Sequence, residues 1–258
     1  MNTRPYRIYF RGLWPQSQVR INYRPEIRKW PHEVETAARA YWQRLVSRHP
    51  NLFNGELATL EGYRRSRTGV LFLSLGRATY ARLMYSNHMA EKWRFRQQQH
   101  QLVRVLGISA VVITSDMRIV LVKRSTRVGE YPGHWDVPGG HIHPPSSGLP
   151  DIFAAIAEEV TDELGVRKED MGSAAVIGLA ENRANAKPEL VFRVEVNQPM
   201  QAILESWQHA AERFEFTEVQ GIEASAKGIA AFVRCHAHET SPSALATLAV
   251  FAGAPQVS

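Results

Sequence analysis

The chain has 258 residues, 44% of them hydrophobic, with 31 Lys+Arg against 25 Asp+Glu and a formal charge of +6. That suffices for one large domain or two small ones with packed cores, and no apolar run reaches the roughly 20 residues of a membrane-spanning helix. The single cysteine, Cys235, excludes an intramolecular disulfide and reads as a buried or inert thiol, because nothing beside it in sequence would activate it.

The first residues lack a signal peptide's apolar stretch. They are Arg-rich and carry no acid before Glu26, as a transit peptide would. The alternation in Tyr6–Phe10 and again in Gln18–Tyr23 fits two strands better, so the expectation is a soluble cytoplasmic protein. A helix is predicted around Pro31–Trp42 and a strand over Val70–Leu75, with the polar stretch Glu91–Gln101 a helical joint. A second part begins with the strand Ile108–Thr114, which the turn Ser115-Asp116 joins to the hairpin partner Arg118–Lys123. Further strands are predicted at Ala174–Leu179, Leu190–Val196 and Phe214–Val219, and a last helix at Ser243–Phe251, capped by Ser241 or Ser243. The expected organisation is therefore an α+β unit over residues 1–103 and a second α/β unit over 104–258.

Charge divides along the same line. Through residue 106 there are 19 Lys+Arg against 6 Asp+Glu, a balance of +13; the remainder, 12 against 19, carries −7. A basic part joined to an acidic part suits an anionic substrate held between them, although the arginines would serve equally as a solvated surface. No nucleic-acid partner is expected, since there is no zinc spacing, RNA-binding signature or long basic run.

Between Trp135 and Val166, the Pro138-Gly139-Gly140 turn leads through a loop into a helical segment that crowds four carboxylates into Glu158–Glu163. Glu159 lies three and four residues from Asp162 and Glu163, so these share one helix face and repel. They also sit near a helix C-terminus, with Gly165 as its C-cap, where the macrodipole disfavours negative charge. A bound cation relieves both penalties, and carboxylates are the oxygen ligands that Mg²⁺ or Mn²⁺ prefers. Glu159 and Glu163 are the principal candidate ligands, and Asp162 is either a further ligand or a group that supports them without touching the metal. The carbonyl of Gly139 joins them, because a Gly-Gly turn permits close backbone approach. The bland alternative is a solvated acidic helix end.

These residues resemble the Nudix box, G-x5-E-x7-R-E-U-x-E-E-x-G-U with U aliphatic. Glu159–Val166 matches its second half, with Asp162 for the first Glu of the pair, and Gly140 matches the leading Gly. The first half departs: the interval from Gly140 to Glu158, which stands where the box has Arg, is four residues too long. The loop His143–Pro150 absorbs the excess, and the upstream Glu is missing. Asn51–Gly55, Leu73–Gly76 with Tyr80 and Asn87, Lys123–Arg127 and Val137–His141 are similar to the UDP-glucose pyrophosphatase branch of the Nudix hydrolases, which carries an N-terminal extension and also lacks the box Arg.

The resemblance implies a Nudix-type α/β/α sandwich with a mixed sheet, preceded by a smaller α+β domain, and Mg²⁺-dependent hydrolysis of a UDP-sugar to UMP and a sugar 1-phosphate. It also implies a further carboxylate as general base, for which Glu189 is the candidate and Glu181 its competitor. Glu158, in the place of the orienting Arg, either adds charge to the site or is solvated. Arg124 and Arg127 are candidate phosphate forks or a surface pair. His141 is a phosphate or metal contact or a structural residue, and His143 is an exposed one. Tyr131 and Trp135 either stack on a base or, for Trp135, pack beneath the turn. Asn54, Tyr80 and Asn87 are candidate uridine or sugar contacts, and Phe53, Asn54, Phe72 and Tyr80 are expected to build the N-terminal core or the joint between the two parts. Alternative readings are a pyrophosphatase for ADP-ribose, NADH or coenzyme A, and a nucleotide-sugar sensor with a decayed box.

Overall fold

The computed structural model describes residues 4–128 and 130–255. The strands are β1 (Tyr6–Pro15), β2 (Val19–Ile27), β3 (Glu56–Arg65), β4 (Leu71–Thr79), β5 (Gly107–Ile113), β6 (Arg118–Arg124), β7 (Trp135–Asp136), β8 (Gly139–His141), β9 (Met171–Asn182), β10 (Lys187–Val196) and β11 (Phe216–Glu223). The helices are α1 (His32–Arg48), α2 (Tyr80–Phe95), α3 (Ile152–Leu164), α4 (Met200–Trp207), α5 (Ala226–His236) and α6 (Pro242–Ala252). Every strand and helix expected from the sequence is present except the helical joint. There the helix runs earlier, from Tyr80 to Phe95, and a separate short 3-10 turn follows at Gln99–Gln101. Strand β3 and helices α4 and α5 were not anticipated.

The large sheet runs β1-β9-β10-β5-β6-β11 and is mixed, with β10 parallel to β5 and the other pairs antiparallel. Its central strands are apolar on both faces, as a sheet covered on both sides requires. Alternation sorts them: Ile108, Ala110 and Val112 of β5 pack with Ile156, Val160 and Leu164 of α3, whereas Val111 and Ile113 pack with Phe232 of α5 and Leu248 of α6. This is the expected α/β/α sandwich. Trp135 joins the second layer, its ring edge-on to Phe232 at 5.9 Å, so it packs beneath the turn.

Strands β5 and β6 pair only beside their turn, at Ile113 and Ile119, and then diverge. The Pro-Gly-Gly segment fills the gap. β8 pairs with Gly107–Ser109 of β5, β7 pairs with Val122 and Lys123 of β6, and the Ala110 N–H donates to the Pro138 carbonyl at 2.8 Å. Only glycine fits at 139, since a Cβ there would collide with the Ile108 carbonyl.

The division expected at residue 103 does not divide the core. β1 forms the edge of the large sheet against β9, and its Phe10 and Trp14 share one core with α3 and with Leu60, Leu71 and Leu73 of the small sheet β2-β4-β3. β3 is tied to the second part through backbone bonds from Ala58 N–H to the Ile142 carbonyl and from Leu60 N–H to the Arg104 carbonyl, each 2.9 Å. The aromatic cluster of Trp30, Tyr85 and Trp93 beside α1 and α2 is separate, as is a small cluster of Leu57, Leu83 and Val105. At the surface, Phe53 is 82% exposed and outside any core, contrary to expectation, and Cys235 on α5 is exposed, which removes the buried one of its two readings.

Candidate active site

Helix α3 starts where the Asp151 side chain accepts from the N–H groups of Phe153 and Ala154, both at 3.0 Å, and ends at Gly165 in the left-handed conformation, φ 70°. Its apolar stripe Ile152, Ile156, Val160 faces the sheet, which carries Glu159 and Glu163, one turn apart, to the split between β5 and β6. Glu163 is 2% exposed and its Oε2 accepts from the Gly139 N–H at 2.9 Å. Glu159 lies over Gly140, where a Cβ would overlap Oε1.

A third carboxylate joins them from outside the helix. Asp162 is exposed; Glu212, from the loop after α4, meets Glu159 and Glu163 instead, with one oxygen of each carboxylate within 4.8 Å of the others. The main chain places it, since the Glu212 N–H donates to the Asp162 carbonyl at 2.8 Å. No position in the box pattern points to residue 212.

These carboxylates line a cavity of about 350 Å³. Seven acids face it, Glu130, Asp136, Glu159, Glu163, Glu189, Glu212 and Glu215, against two cations, Arg124 and Lys187. Burial, then Glu159 beside it, pushes the Glu163 carboxyl well above its usual range; burial, then Glu212 and Glu215, pushes Glu159 up to about 7. An acid cluster this short of cations asks for one. The donors fit a hard divalent ion: all are oxygens, Gly140 leaves the space beside Glu159 open, and the buried His141 Nε2 lacks a hydrogen-bond partner. Burial keeps the His141 ring neutral, its pKa well below normal.

Opposite, register aligns three residues across three strands: Glu189 of β10 beside Gly107 of β5, and Gly107 beside His141 of β8. The Glu189 side chain lies across Gly107, whose missing Cβ would stand 2.5 Å from Oε2. Burial raises Glu189 to about 7 although Lys187 pulls it down. Burial by itself would lower Lys187, but Glu130, 3.3 Å away, and Glu189 outweigh it and raise it. Arg124 donates from Nε to the Glu130 carbonyl at 2.9 Å and lies 3.6 Å from Asp136. Burial raises Asp136 even so, though it accepts from Ser241 Oγ and the Val137 N–H.

Of the other sequence candidates, Tyr80, Tyr131, His141 and His143 line the cavity, with His143 an exposed rim residue. Arg127 is exposed and outside it, and Asn87 on α2 does not line it. Asn54 instead accepts from the Ala81 N–H at 2.8 Å, at the start of α2. Glu181 points elsewhere, to Tyr9 Oη at 2.7 Å and Arg104 at 3.3 Å. Glu158 is solvated, 4.0 Å from Lys168. Lys187, Asn182, Glu130 and Asp136 were not anticipated; only Lys187, two residues before Glu189 on the same strand, left a trace in the sequence.

The chain belongs to the Nudix family, whose NUDIX domain matches residues 103–233, just over half its length, a span that holds the split sheet, the Gly-Gly turn and the carboxylates of the following helix. It is a Nudix pyrophosphohydrolase resembling the uridine diphosphate glucose pyrophosphatase branch. The bovine uridine diphosphate glucose pyrophosphatase NUDT22 is 29% identical over 203 residues, 68% of this chain and 70% of that protein. Nudix hydrolase 9 of Arabidopsis thaliana is 25% identical over 249 residues, 82% and 79% respectively. Among solved structures, DR0079 from Deinococcus radiodurans aligns with a TM-score of 0.40 at 17% identity, covering 55% of this chain and 79% of its own.

Proposed function

We propose that the chain hydrolyses the diphosphate bond of UDP-sugars, UDP-glucose first among them, to UMP and a sugar 1-phosphate, with Mg²⁺ or Mn²⁺ as cofactor. The observation that carries this reading is the cavity itself: converging carboxylates on one wall, Arg124 and Lys187 on another, and a nucleotide-sized space between. Glu159, Glu163 and Glu212 would hold the metal. Bound there, a divalent ion neutralises diphosphate oxygens and lowers the pKa of an attacking water.

The protein's own groups do the rest. Arg124 and Lys187 draw the diphosphate in and orient it. Ser243 Oγ donates to Glu189 Oε2 at 3.4 Å, leaving Oε1 to accept a proton from the attacking water. A carboxylate with a pKa of about 7 is matched to that task near neutral pH. The Gly139 N–H fixes the rotamer of Glu163. Tyr80 and the Tyr131–Asn182 pair, 2.8 Å apart, form the wall left for uridine or sugar.

The test is a panel of UDP-glucose, other UDP-sugars, ADP-ribose, NADH and coenzyme A incubated with Mg²⁺, with products separated by chromatography. UMP and glucose 1-phosphate formed in preference to the other products support the reading. Preference for an adenine compound replaces the substrate class, and binding without turnover of any compound overturns the hydrolase reading for this substrate set.

A further inference from the structure

The basic charge of the N-terminal part does not serve the acid-lined cavity: of residues before 103, only Tyr80 and Leu83 line it. Two of its arginines, Arg7 and Arg94, instead line a second cleft of about 740 Å³. The two clefts share no lining residue, and the β9–β10 hairpin is the wall between them. Asn182 lines the acid cavity while its neighbours Glu181 and Arg183 line the second cleft; past the turn, Asn185 and Lys187 line the first and Ala186 the second. The strand ends and the turn between them thus send side chains to both sides of the partition.

Arg7, Arg94, Arg104 and Arg183 converge on the second cleft from β1, α2, the segment before β5 and the hairpin. The one carboxylate among them, Glu181, is already engaged by Tyr9 Oη and Arg104. Arg94 donates to the Arg183 carbonyl, and Arg183 Nε to the Tyr6 carbonyl at 3.2 Å, but among the described residues neither they nor Arg7 form an ion pair. Three guanidinium forks thus remain unneutralised in one concavity, which concentrates anions and matches phosphate geometry. Tyr9 and Tyr63, ring centroids 5.9 Å apart, supply an aromatic wall, and Tyr63 is 39% exposed.

We propose that this cleft is a second, non-catalytic site for a nucleoside phosphate, with the phosphates on Arg7, Arg94 and Arg183 and the base against Tyr63. Its volume lies within the roughly 300–1,000 Å³ of small-molecule sites. A single-stranded nucleic acid would use the same charges, but it needs aromatic platforms for successive bases. Here the two tyrosines contact each other and offer one.

The experiment is calorimetric titration of the full chain carrying Glu163→Gln, which leaves nucleotide unconsumed, with UMP, AMP and inorganic phosphate at low and high salt. Expected is saturable, salt-sensitive nucleotide binding that Arg7→Ala with Arg183→Ala weakens about tenfold or more. Lys227→Ala, exposed on α5 and lining neither cleft, should leave it unchanged, and Arg124→Ala reports any binding in the acid cavity, with circular dichroism checking that each variant folds. Absence of nucleotide binding overturns the site, as does binding that follows Arg124 and ignores the other two arginines. A single-stranded oligonucleotide that displaces UMP at equal phosphate concentration assigns the cleft to nucleic acid instead. Because the readout is binding alone, failure of the substrate panel leaves this inference standing, and the reverse holds too.

Discussion

At the scale of single residues, the candidate centre separates carboxylates that converge from one that is merely adjacent in sequence. Glu163→Gln keeps the shape and the Gly139 hydrogen bond but removes a charge from the proposed metal site, so turnover should fall by about a hundredfold or more with the melting temperature nearly unchanged or raised. Glu212→Gln should cost about tenfold, and Asp162→Asn little, because the exposed Asp162 carboxylate acts on the site only through space while its carbonyl, which holds Glu212, is unchanged. Steady-state rates across a Mg²⁺ titration distinguish the three; a large loss at Asp162 with none at Glu212 would reverse the assignment. Gly140→Ala sets a methyl against Glu159 Oε1 and should weaken metal dependence as well as rate.

At the scale of elements, α3 carries the site because its apolar stripe, its Asp151 cap and its Gly165 terminus all fix the same rotation against the sheet. Glu158 is turned away from that face, so Glu158→Arg should leave kcat within about twofold. A gain of an order of magnitude would mean that residue 158 reaches the metal site after all. The helix was legible before the fold was known, since caps and a 3.6-residue period are local signals. β3 was not: its apolar run is short and broken by Glu61 and Gly62, and it becomes a strand by pairing with β4.

Across the whole molecule, buried acids tie stability to pH. Glu159 and Glu189 stand at about 7, above the ordinary 4.5, so the native state binds more protons than the unfolded state between those values. Without metal, stability should therefore fall as pH rises from about 4.5 to about 7, by something on the order of a few kcal/mol for the pair. Thermal melts at about pH 5 and about pH 8 would read this, and Mg²⁺ should restore most of the loss at the higher pH. Activity should rise through the same range as Glu189 loses its proton, and Glu189→Gln should lower the rate and flatten that limb; an unchanged limb would remove Glu189 from the chemistry. Deleting residues 1–15 strips β1 from β9 and takes Phe10 and Trp14 from the core, so the truncated chain should aggregate rather than leave a working enzyme.

What can be read along the chain is what neighbours along the chain enforce. Alternation in β5, β6, β9 and β10, the helix of Glu159 and Glu163, and the glycines that let acid side chains lie over β8 are all local regularities, and they were enough to indicate the family and two of the converging carboxylates. The rest depended on which layers meet. Glu212 reaches Glu163 across 49 residues because α4 packs on α3, β1 leaves its sequence neighbours to edge the large sheet, and Arg7 and Arg94 meet Arg183 on the far side of the β9–β10 hairpin from the acid cavity. Such encounters are set by burial of apolar faces between distant segments, and no local pattern encodes which segments will share them.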